Sequence, residues 1–228
     1  MFDEPVDAVI FDMDGTLIDS ETVYMAGMQD AARILGLDLP ISICHAMVGV
    51  PRRECNLMLQ QHFGADFDLE TFRGHYTASV QERMRERVPI KPGVVELLDF
   101  LADRALPLAI ATSANRETAE RNLGRAGLLD RFQVVSTRDD AERAKPAPDI
   151  YLEAARRLGV APARCVAFED SSIGIIAAHA AGMRAVMIPD ILPPTDEARA
   201  KCLHVAADLN EILGLMRGQR KQCEPEPG

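Results

Sequence analysis

Short apolar runs rich in β-forming residues recur along this chain, and segments with helical spacing separate them. The first run occupies residues 8–11 and stops abruptly at an Asp-x-Asp-Gly-Thr sequence. Further runs lie at 108–111, 133–135, 165–168 and 185–188. Strands that alternate with helices form a parallel sheet with helices on both faces. The chain is therefore predicted to be an α/β protein with a doubly wound, Rossmann-like sheet.

Helical spacing of apolar residues between these runs predicts the crossover connections. The predicted helices cover 94–101, 117–126, 149–158 and 172–181. Gly127, Gly159 and Gly182 follow three of these segments. Glycine commonly ends a helix because it adopts a left-handed backbone conformation without strain.

The long interval after the first run contains no convincing strand and carries helical spacing instead. Its predicted helices cover 23–35, 52–63 and 69–87. A loop of this length without structure of its own is improbable inside a compact domain. Residues 20–89 are therefore predicted to form a helical cap domain, inserted into a core domain made of residues 1–19 and 90–216.

Composition and charge restrict the class of partner. The formal net charge is -10 and the isoelectric point is about 5.0, which disfavours a surface for nucleic acid or for an anionic membrane. A small anionic ligand remains compatible with this charge, because a local basic pocket is enough to bind it. No apolar run is long enough for a membrane helix, and the acidic N-terminal residues do not fit a signal peptide.

Cysteine usage and the composition of the last residues give further expectations. The five cysteines are widely spaced and include no Cys-x-x-Cys pair, which predicts reduced thiols and a cytoplasmic protein. Residues 217–228 are polar and contain the sequence Glu-Pro-Glu-Pro-Gly, so they are predicted to be a disordered tail. We expect a monomer or a dimer, since nothing in the sequence indicates a larger assembly.

Acidic and hydroxyl side chains follow several of the predicted strands. Because ligands of an open parallel sheet bind beyond the carboxyl ends of its strands, these side chains are expected to converge. The set consists of Asp12, Asp14, Thr112, Ser113, Glu169 and Asp170. Carboxylates at one edge repel one another unless a cation lies between them, and oxygen ligands with room for water suit Mg2+. With the metal present, a carboxylate can attack a phosphorus atom that carries negative oxygens, and Asp12 is the natural nucleophile.

Four short motifs follow one another along the chain. The first is Phe-Asp-Met-Asp-Gly-Thr-Leu-Ile-Asp-Ser at 11–20, and the second is Ala-Thr-Ser at 111–113. The third is Lys-Pro-Ala-Pro-Asp at 145–149, and the fourth is Phe-Glu-Asp-Ser-Ser-Ile-Gly at 168–174. Together they resemble the signatures of the haloacid dehalogenase superfamily. The helical insertion resembles the C1-type cap of the β-phosphoglucomutase-like branch, which also contains many sugar-phosphate phosphatases.

This resemblance implies a Mg2+-dependent phosphatase that acts on a small phosphorylated metabolite through an aspartyl-phosphate. Asp12 would attack phosphorus, and Asp14 would protonate the leaving group and then activate water. Thr112 or Ser113 would bind phosphate oxygens. Lys145 would neutralise charge on the nucleophile and on the phosphate.

The resemblance also implies the ligands of the Mg2+ ion. They are a carboxylate oxygen of Asp12, the backbone carbonyl of Asp14 and the carboxylate of Asp170. Glu169 is a further candidate ligand, either by direct binding or through a water molecule.

In the cap, Arg52 and Glu21 are candidate substrate-binding residues. Arg52 matches an arginine that contacts the distal phosphate or the substrate in the β-phosphoglucomutase-like branch, which leaves open an isomerase that returns the phosphoryl group to its substrate. β-Phosphoglucomutases carry a histidine where this chain has Tyr24 and a lysine where it has Val48, and these differences disfavour the isomerase. An inactive binding or regulatory protein is a further alternative, although every core motif position is intact.

Structural roles stay open for several of these residues. Thr112 and Ser113 also suit the N-terminus of a helix, where side-chain oxygens accept backbone hydrogen bonds. Asn115 lies close behind them and is a secondary candidate for phosphate binding. Glu169 and Asp170 precede a predicted helix and suit its positive N-terminal end. The histidines lie far apart without ligand spacing, so no zinc site is predicted.

Overall fold

The computed structural model describes residues 5–86 and 88–218, and these divide into two compact units. The core unit comprises the described residues up to Ile18 and from Pro89 onward. The cap unit comprises Asp19–Val88. Residues 219–228, which make up most of the predicted disordered tail, lie outside the described residues.

The core unit contains a parallel sheet. Its strands are β1 (Ala8–Phe11), β2 (Leu108–Ala111), β3 (Val134–Ser136), β4 (Cys165–Glu169), β5 (Arg184–Met187) and β6 (His204–Val205). They lie in the order β3-β2-β1-β4-β5-β6, which confirms the predicted doubly wound α/β fold. The apolar runs become strands because a parallel sheet is covered on both faces, and every residue of β1, β2 and β4 is buried.

Four strands differ from the prediction at their ends or in their existence. β3 begins and ends one residue later than predicted, and the side chain of Gln133, just before it, accepts a hydrogen bond from the backbone N–H of Leu108 (2.6 Å). β4 ends one residue later than predicted, at Glu169. β5 begins and ends one residue earlier than predicted. β6 escapes prediction because it has only two residues and both are half-buried.

The register of the sheet brings the predicted site residues to one edge. Phe11 of β1 pairs with Ile110 of β2 and with Phe168 of β4. The residues that follow these three positions therefore emerge beside one another, and they include Asp12 and Glu169. β2 and β3 lie on one side of β1, and β4, β5 and β6 lie on the other, so the strand order reverses beside β1. Ligands of such sheets bind at this switch point.

The cap unit is helical. Its helices are α1 (Ser20–Ile34), α2 (Ile41–Ala46), α3 (Arg52–Phe63) and α4 (Leu69–Glu86). α1 and α4 approach closely at Gly27, where a Cβ would lie 2.6 Å from Cγ2 of Val80. Asp30 of α1 then accepts hydrogen bonds from Ser79 and Arg83 of α4 (2.7 Å each). α2 escapes prediction because six residues are too few to show helical spacing.

The remaining helices cover the sheet of the core unit. They are α5 (Val94–Ala102), α6 (Arg116–Arg125), α7 (Asp149–Leu158), α8 (Ser172–Ala180), α9 (Asp196–Lys201) and α10 (Leu209–Gly218). The prediction of a disordered tail is wrong for Arg217 and Gly218, which end α10. The guanidinium of Arg217 lies 5.8 Å from the ring centroid of Phe100 in α5, a cation–π contact that holds the end of this helix.

Within residues 5–86 and 88–218, no helix combines the length and the apolar character that a membrane span requires. Cys44, Cys55, Cys165 and Cys202 are free thiols. Cys223 lies outside the described residues.

Candidate active site

Asp12 lies at the end of the central strand of the sheet. Its backbone N–H donates to the carbonyl of Phe168 (2.9 Å), which extends the pairing of β1 with β4 by one residue. Only 6% of its surface is exposed. The carboxylate is therefore held at the carboxyl edge by the most deeply buried part of the sheet.

The loop after Asp12 is tight and passes close to Asp170. The backbone N–H of Gly15 donates to the carbonyl of Ile18 (2.8 Å) and closes the loop. Gly15 has a φ of +83°, and a Cβ at this position would lie 2.4 Å from Oδ2 of Asp170. Only glycine combines this conformation with so close an approach. The backbone that follows Asp14 therefore lies directly against a second acidic side chain.

Lys145 supplies a positive charge to the site. Its Nζ lies 2.5 Å from Oδ1 of Asp12, 2.6 Å from Oε1 of Glu169 and 3.0 Å from the carbonyl oxygen of Ala111. These acceptors match the three donor hydrogens of an ammonium group. One buried ammonium is therefore shared by two buried carboxylates, one after β1 and one at the end of β4.

The carboxylate of Glu169 is fully buried and accepts four hydrogen bonds. Oε1 accepts from Lys145 and from the hydroxyl of Tyr151 (3.1 Å). Oε2 accepts from the backbone N–H and from the hydroxyl of Ser171 (2.9 Å each). In this structure the side chain holds Lys145, and the prediction that Glu169 also binds Mg2+ stays a prediction.

The acidic groups of the site affect one another. Burial raises the pKa of Asp12 to about 8 and the pKa of Asp170 to about 9. The charge of Lys145 opposes both shifts, whereas the charge of Glu169 adds to them. Burial by itself lowers the pKa of Lys145, but the two carboxylates beside it raise the value well above normal, so the ammonium stays charged. The charge of Lys145 is therefore not enough to balance the acidic groups at this edge of the sheet.

This edge fits a Mg2+ ion. An ion held by Asp12, Asp170 and the backbone carbonyl of Asp14 would relieve the repulsion between carboxylates that contributes to the raised pKa of Asp170. Such a set needs only two carboxylates. It is compatible with the finding that no cluster of three or more His, Cys, Asp or Glu side chains suited to a metal occurs in the described part of the chain. Two carboxylates and a carbonyl also leave positions for water and for a phosphate oxygen, as Mg2+ prefers.

The polar residues after β2 occupy different environments. Thr112 is buried, and its Oγ1 accepts a hydrogen bond from the backbone N–H of Ala114 (3.1 Å). Ser113 is exposed, so its hydroxyl has room for a ligand. Asn115 caps α6, since its Oδ1 accepts from the backbone N–H of Thr118 (2.9 Å). A capping role is therefore present for Asn115, and phosphate binding by this segment stays a prediction.

Glu21 and Arg52 line the same cavity inside the cap unit, which has a volume of about 430 Å³. Tyr24 and Val48 line this cavity too, together with apolar residues from α1, α3 and α4. A cavity of this size is typical of sites for small molecules. The structure thus brings the two predicted cap residues together, while their contact with substrate stays a prediction.

Comparison with known families decides the classification. A family model for haloacid dehalogenase-like hydrolases matches residues 6–182. The chain belongs to the haloacid dehalogenase-like hydrolase family. The matched region contains all four motifs, so the resemblance that they carry is confirmed, and so is the prediction that the chain is a hydrolase.

Relatives of this hydrolase include proteins named for the hydrolysis of sugar phosphates. A phosphorylated carbohydrates phosphatase from Thermotoga maritima is 34% identical over 181 residues, which cover 79% of this chain and 84% of the relative. A fructose-1-phosphate phosphatase from Escherichia coli is 34% identical over 178 residues, which cover 78% of this chain and 94% of the relative. The names of these relatives agree with the predicted enzyme class, a hydrolase of phosphoric monoesters.

A solved structure from the predicted branch of the superfamily also resembles this hydrolase. A β-phosphoglucomutase-like protein from Thermotoga maritima matches this hydrolase with a TM-score of 0.82 and 31% identity. The match covers 93% of this chain and 99% of that protein. The likeness therefore includes the helical insertion as well as the sheet.

Two residues at the site of this hydrolase were not predicted from the sequence. Tyr151 lies on the buried side of α7, where an aromatic residue is ordinarily taken for core. Ser171 lies within the fourth motif, and its hydroxyl caps α8 by accepting from the backbone N–H of Gly174 (3.1 Å). Their bonds to Glu169 become visible only when α7, β4 and α8 are placed together.

Gly174→Ala is expected to lower the free energy of unfolding by about 2–3 kcal/mol. A Cβ at Gly174 would lie 1.7 Å from Oε1 of Glu169, so the buried carboxylate has to move away from Lys145. Urea unfolding checks this expectation. Gly214→Ala is the matched control, because it lies within α10 and a Cβ there meets nothing within 4 Å. The control should gain up to about 1 kcal/mol. Equal free energies for the two variants would contradict the close packing at Gly174.

Proposed function

We propose that this hydrolase is a Mg2+-dependent phosphatase that releases inorganic phosphate from a small phosphorylated metabolite, such as a sugar phosphate or a similar phosphomonoester. The observation that carries the proposal is the buried carboxylate of Asp12, held by Lys145 at the carboxyl edge of the sheet. A carboxylate fixed beside a cation can approach a negatively charged phosphoryl group. The two relatives named as phosphatases of phosphorylated sugars support the class of substrate.

In the first step of the proposed reaction, an oxygen of Asp12 forms a bond to phosphorus while the bond from phosphorus to the leaving oxygen breaks. Asp14 gives its proton to that leaving oxygen. Lys145 stays beside Asp12 and neutralises charge on the phosphoryl oxygens, which the hydroxyl of Ser113 or of Thr112 also contacts. The products are an aspartyl-phosphate on Asp12 and a free alcohol.

In the second step, a water molecule hydrolyses the aspartyl-phosphate. Asp14 takes a proton from the water while the water oxygen forms a bond to phosphorus. The bond between Asp12 and phosphorus then breaks, which releases inorganic phosphate. Both carboxyl groups return to their starting states, because the proton that Asp14 gave in the first step is recovered in the second.

The residues that would hold Mg2+ are Asp12, Asp170 and the backbone carbonyl of Asp14. When bound, the ion supplies the positive charge that the acidic edge lacks and that a phosphate group needs close to two carboxylates. Glu169 contributes through Lys145, to which it is hydrogen-bonded. Arg52 and Glu21 are proposed to contact the organic part of the substrate, and a cytoplasmic location and a monomeric or dimeric state remain predictions.

An isomerase of the β-phosphoglucomutase type is the alternative, and the solved structure from Thermotoga maritima is the reason to test it. The cap cavity disfavours it, since Tyr24 and Val48 line this cavity in place of the histidine and lysine of the mutases. Incubation with a hexose 1-phosphate separates the alternatives. Phosphate release supports the phosphatase, and conversion to the 6-phosphate supports the isomerase.

Phosphate release from a panel of phosphorylated metabolites tests the proposed function. We expect release that requires Mg2+ and stops when EDTA is added. The panel should include hexose phosphates, pentose phosphates, nucleoside monophosphates and phosphoglycolate. Absence of release from every compound in the presence of Mg2+ would overturn the proposal and favour an inactive binding protein.

Stabilisation by Mg2+ is expected to grow with pH. Asp12 and Asp170 have pKa values raised above the ordinary 3.8, so the metal-free folded state holds protons that the unfolded state has released. The free energy of unfolding without metal therefore falls as pH rises from about 4 to about 9. Mg2+ binds the deprotonated carboxylates, so the shift in melting temperature that it causes should be larger near pH 8 than near pH 6.

Scanning calorimetry with and without Mg2+ checks this pH dependence. The Asp170→Asn variant is the control, because it lacks one of the two carboxylates that have to lose a proton. Its response to Mg2+ should be small at every pH. A shift of the wild-type protein that stays constant across this pH range would contradict the expected coupling.

A further inference from the structure

Tyr151 carries a polar hydroxyl into the centre of the core unit. The residue lies near the start of α7, and none of its surface is exposed. A buried hydroxyl is costly unless it forms a hydrogen bond. Its oxygen lies 3.1 Å from Oε1 of Glu169 and 3.5 Å from Nζ of Lys145. The reaction steps described above assign it no role.

The hydroxyl of Tyr151 donates to Glu169, and its own contact with Nζ of Lys145, at 3.5 Å, is the longest of the hydrogen bonds of that ammonium group. The three ammonium hydrogens of Lys145 have closer acceptors on Asp12, Glu169 and Ala111, at 2.5, 2.6 and 3.0 Å. Burial raises the pKa of Tyr151 well above its usual value, so the hydroxyl keeps its proton. Oε1 of Glu169 therefore receives two hydrogen bonds, one from an ammonium group and one from a neutral hydroxyl.

Asp12 and Glu169 compete for the same ammonium group. Their oxygens lie at nearly equal distances from Nζ of Lys145, and the two residues lie just after β1 and at the end of β4. A hydrogen bond from Tyr151 satisfies part of the negative charge on Oε1 of Glu169. Without it, Lys145 is the remaining side-chain donor to that oxygen, and the attraction between the two groups grows.

We propose that Tyr151 is a positioning residue for phosphoryl transfer, whose hydroxyl holds Glu169 so that Lys145 stays against Asp12. This proposal rests on the phosphatase function proposed above. When the hydroxyl is absent, Lys145 moves toward Glu169 and away from Asp12, which receives the phosphoryl group. Transfer then slows, while the residues that bind the rest of the substrate are unchanged.

Tyr151→Phe tests the proposal because it removes the hydroxyl alone. We expect kcat to fall about tenfold and KM to change by less than about twofold. Ser136→Ala is the matched control. Ser136 is buried in β3, and its hydroxyl donates to the carbonyl of Ile150 in α7, the helix that carries Tyr151 (3.2 Å). This substitution therefore removes a buried hydrogen bond that does not involve Lys145. Both variants should lose melting temperature, and only Tyr151→Phe should lose kcat.

Two further measurements separate positioning from a structural role. In a crystal structure of the Tyr151→Phe protein, the distance from Nζ of Lys145 to Oδ1 of Asp12 should be longer than in a crystal structure of the wild-type protein obtained in the same way. In a Glu169→Gln background, which presents a neutral oxygen to Lys145, Tyr151→Phe should change kcat by less than about twofold.

The proposal is overturned if Tyr151→Phe keeps the wild-type kcat, or if Lys145 keeps its distance to Asp12 in the crystal structure of the variant. Failure of the phosphatase function itself has a different signature, namely a wild-type protein that releases no phosphate from any substrate. In that case the position of Lys145 in the crystal structure decides whether Tyr151 places it.

Discussion

Asp12→Asn is expected to lower kcat for phosphate release by at least about 10⁴-fold. A carboxamide oxygen is a poor nucleophile, so the first bond to phosphorus does not form. The substitution keeps the size of the side chain and an oxygen that can accept the hydrogen bond from Lys145. It also removes a buried acidic group whose pKa is raised, so the melting temperature should not fall. Phosphate release at saturating Mg2+ and substrate gives the result.

The matched control for this substitution is Asp103→Asn. Asp103 follows α5 and is exposed, so the same chemical change occurs away from the site. Activity of the control should stay within about twofold of the wild type. If the Asp12→Asn protein retained more than about one hundredth of the wild-type kcat, with deamidation excluded by mass spectrometry, Asp12 would not be the nucleophile.

Asp14→Asn distinguishes the acid and base role from the nucleophile. An aryl phosphate has a leaving group that needs no protonation, so Asp12 of this variant can still accept the phosphoryl group. Hydrolysis then slows because no base activates the water. We expect intact-protein mass spectrometry to show one added phosphoryl group on the Asp14→Asn protein. The Asp12→Asn protein should show none.

Lys145→Met is expected to lower the free energy of unfolding by about 3–5 kcal/mol and kcat by about 10³-fold. The side chain of Lys145 is only 3% exposed, and the carboxylates of Asp12 and Glu169 are buried against it. Removal of the ammonium leaves two buried negative charges without their cation. Protonation of the carboxyl groups relieves this repulsion, so the loss of stability should be larger near pH 8 than near pH 6.

Urea unfolding of Lys145→Met beside Lys201→Met measures this effect. Lys201 pairs with Glu197 one turn earlier on the exposed face of α9 (2.6 Å), and a surface pair of this kind contributes less than about 0.5 kcal/mol. Glu169→Gln added to Lys145→Met should recover part of the lost stability, since it removes one of the two buried charges. Similar losses for the two lysine variants would show that Lys145 is not needed to balance the buried carboxylates.

The strands that could be predicted are those buried on both faces. β1, β2 and β4 each appear in the sequence as a continuous apolar run, because a central parallel strand has no solvent-facing side. The two-residue β6 and the six-residue α2 give no such signal. For elements this short, contacts with the rest of the unit outweigh local preference, and those contacts leave no periodic pattern in the sequence.

Some residues of the candidate site could also be predicted from the sequence, and others could not. The convergence of Asp12 and Glu169 could be predicted, because both follow predicted parallel strands and the carboxyl ends of such strands share one edge. Lys145 lies 133 residues after Asp12, and only its motif indicated a role. Asn115 is a candidate phosphate ligand in sequence, and the direction of its side chain adds a capping role that its motif does not indicate.

The α/β class and the acidic residues expected at the carboxyl edge could be predicted, because they depend on local runs and on short motifs. The sharing of Lys145 between Asp12 and Glu169, and the hydrogen bond from Tyr151 to Glu169, became visible only in the folded structure. Hydrogen bonds of this kind join distant parts of the chain. They depend on the register of β4 beside β1 and on the rotation of α7, which no local pattern encodes.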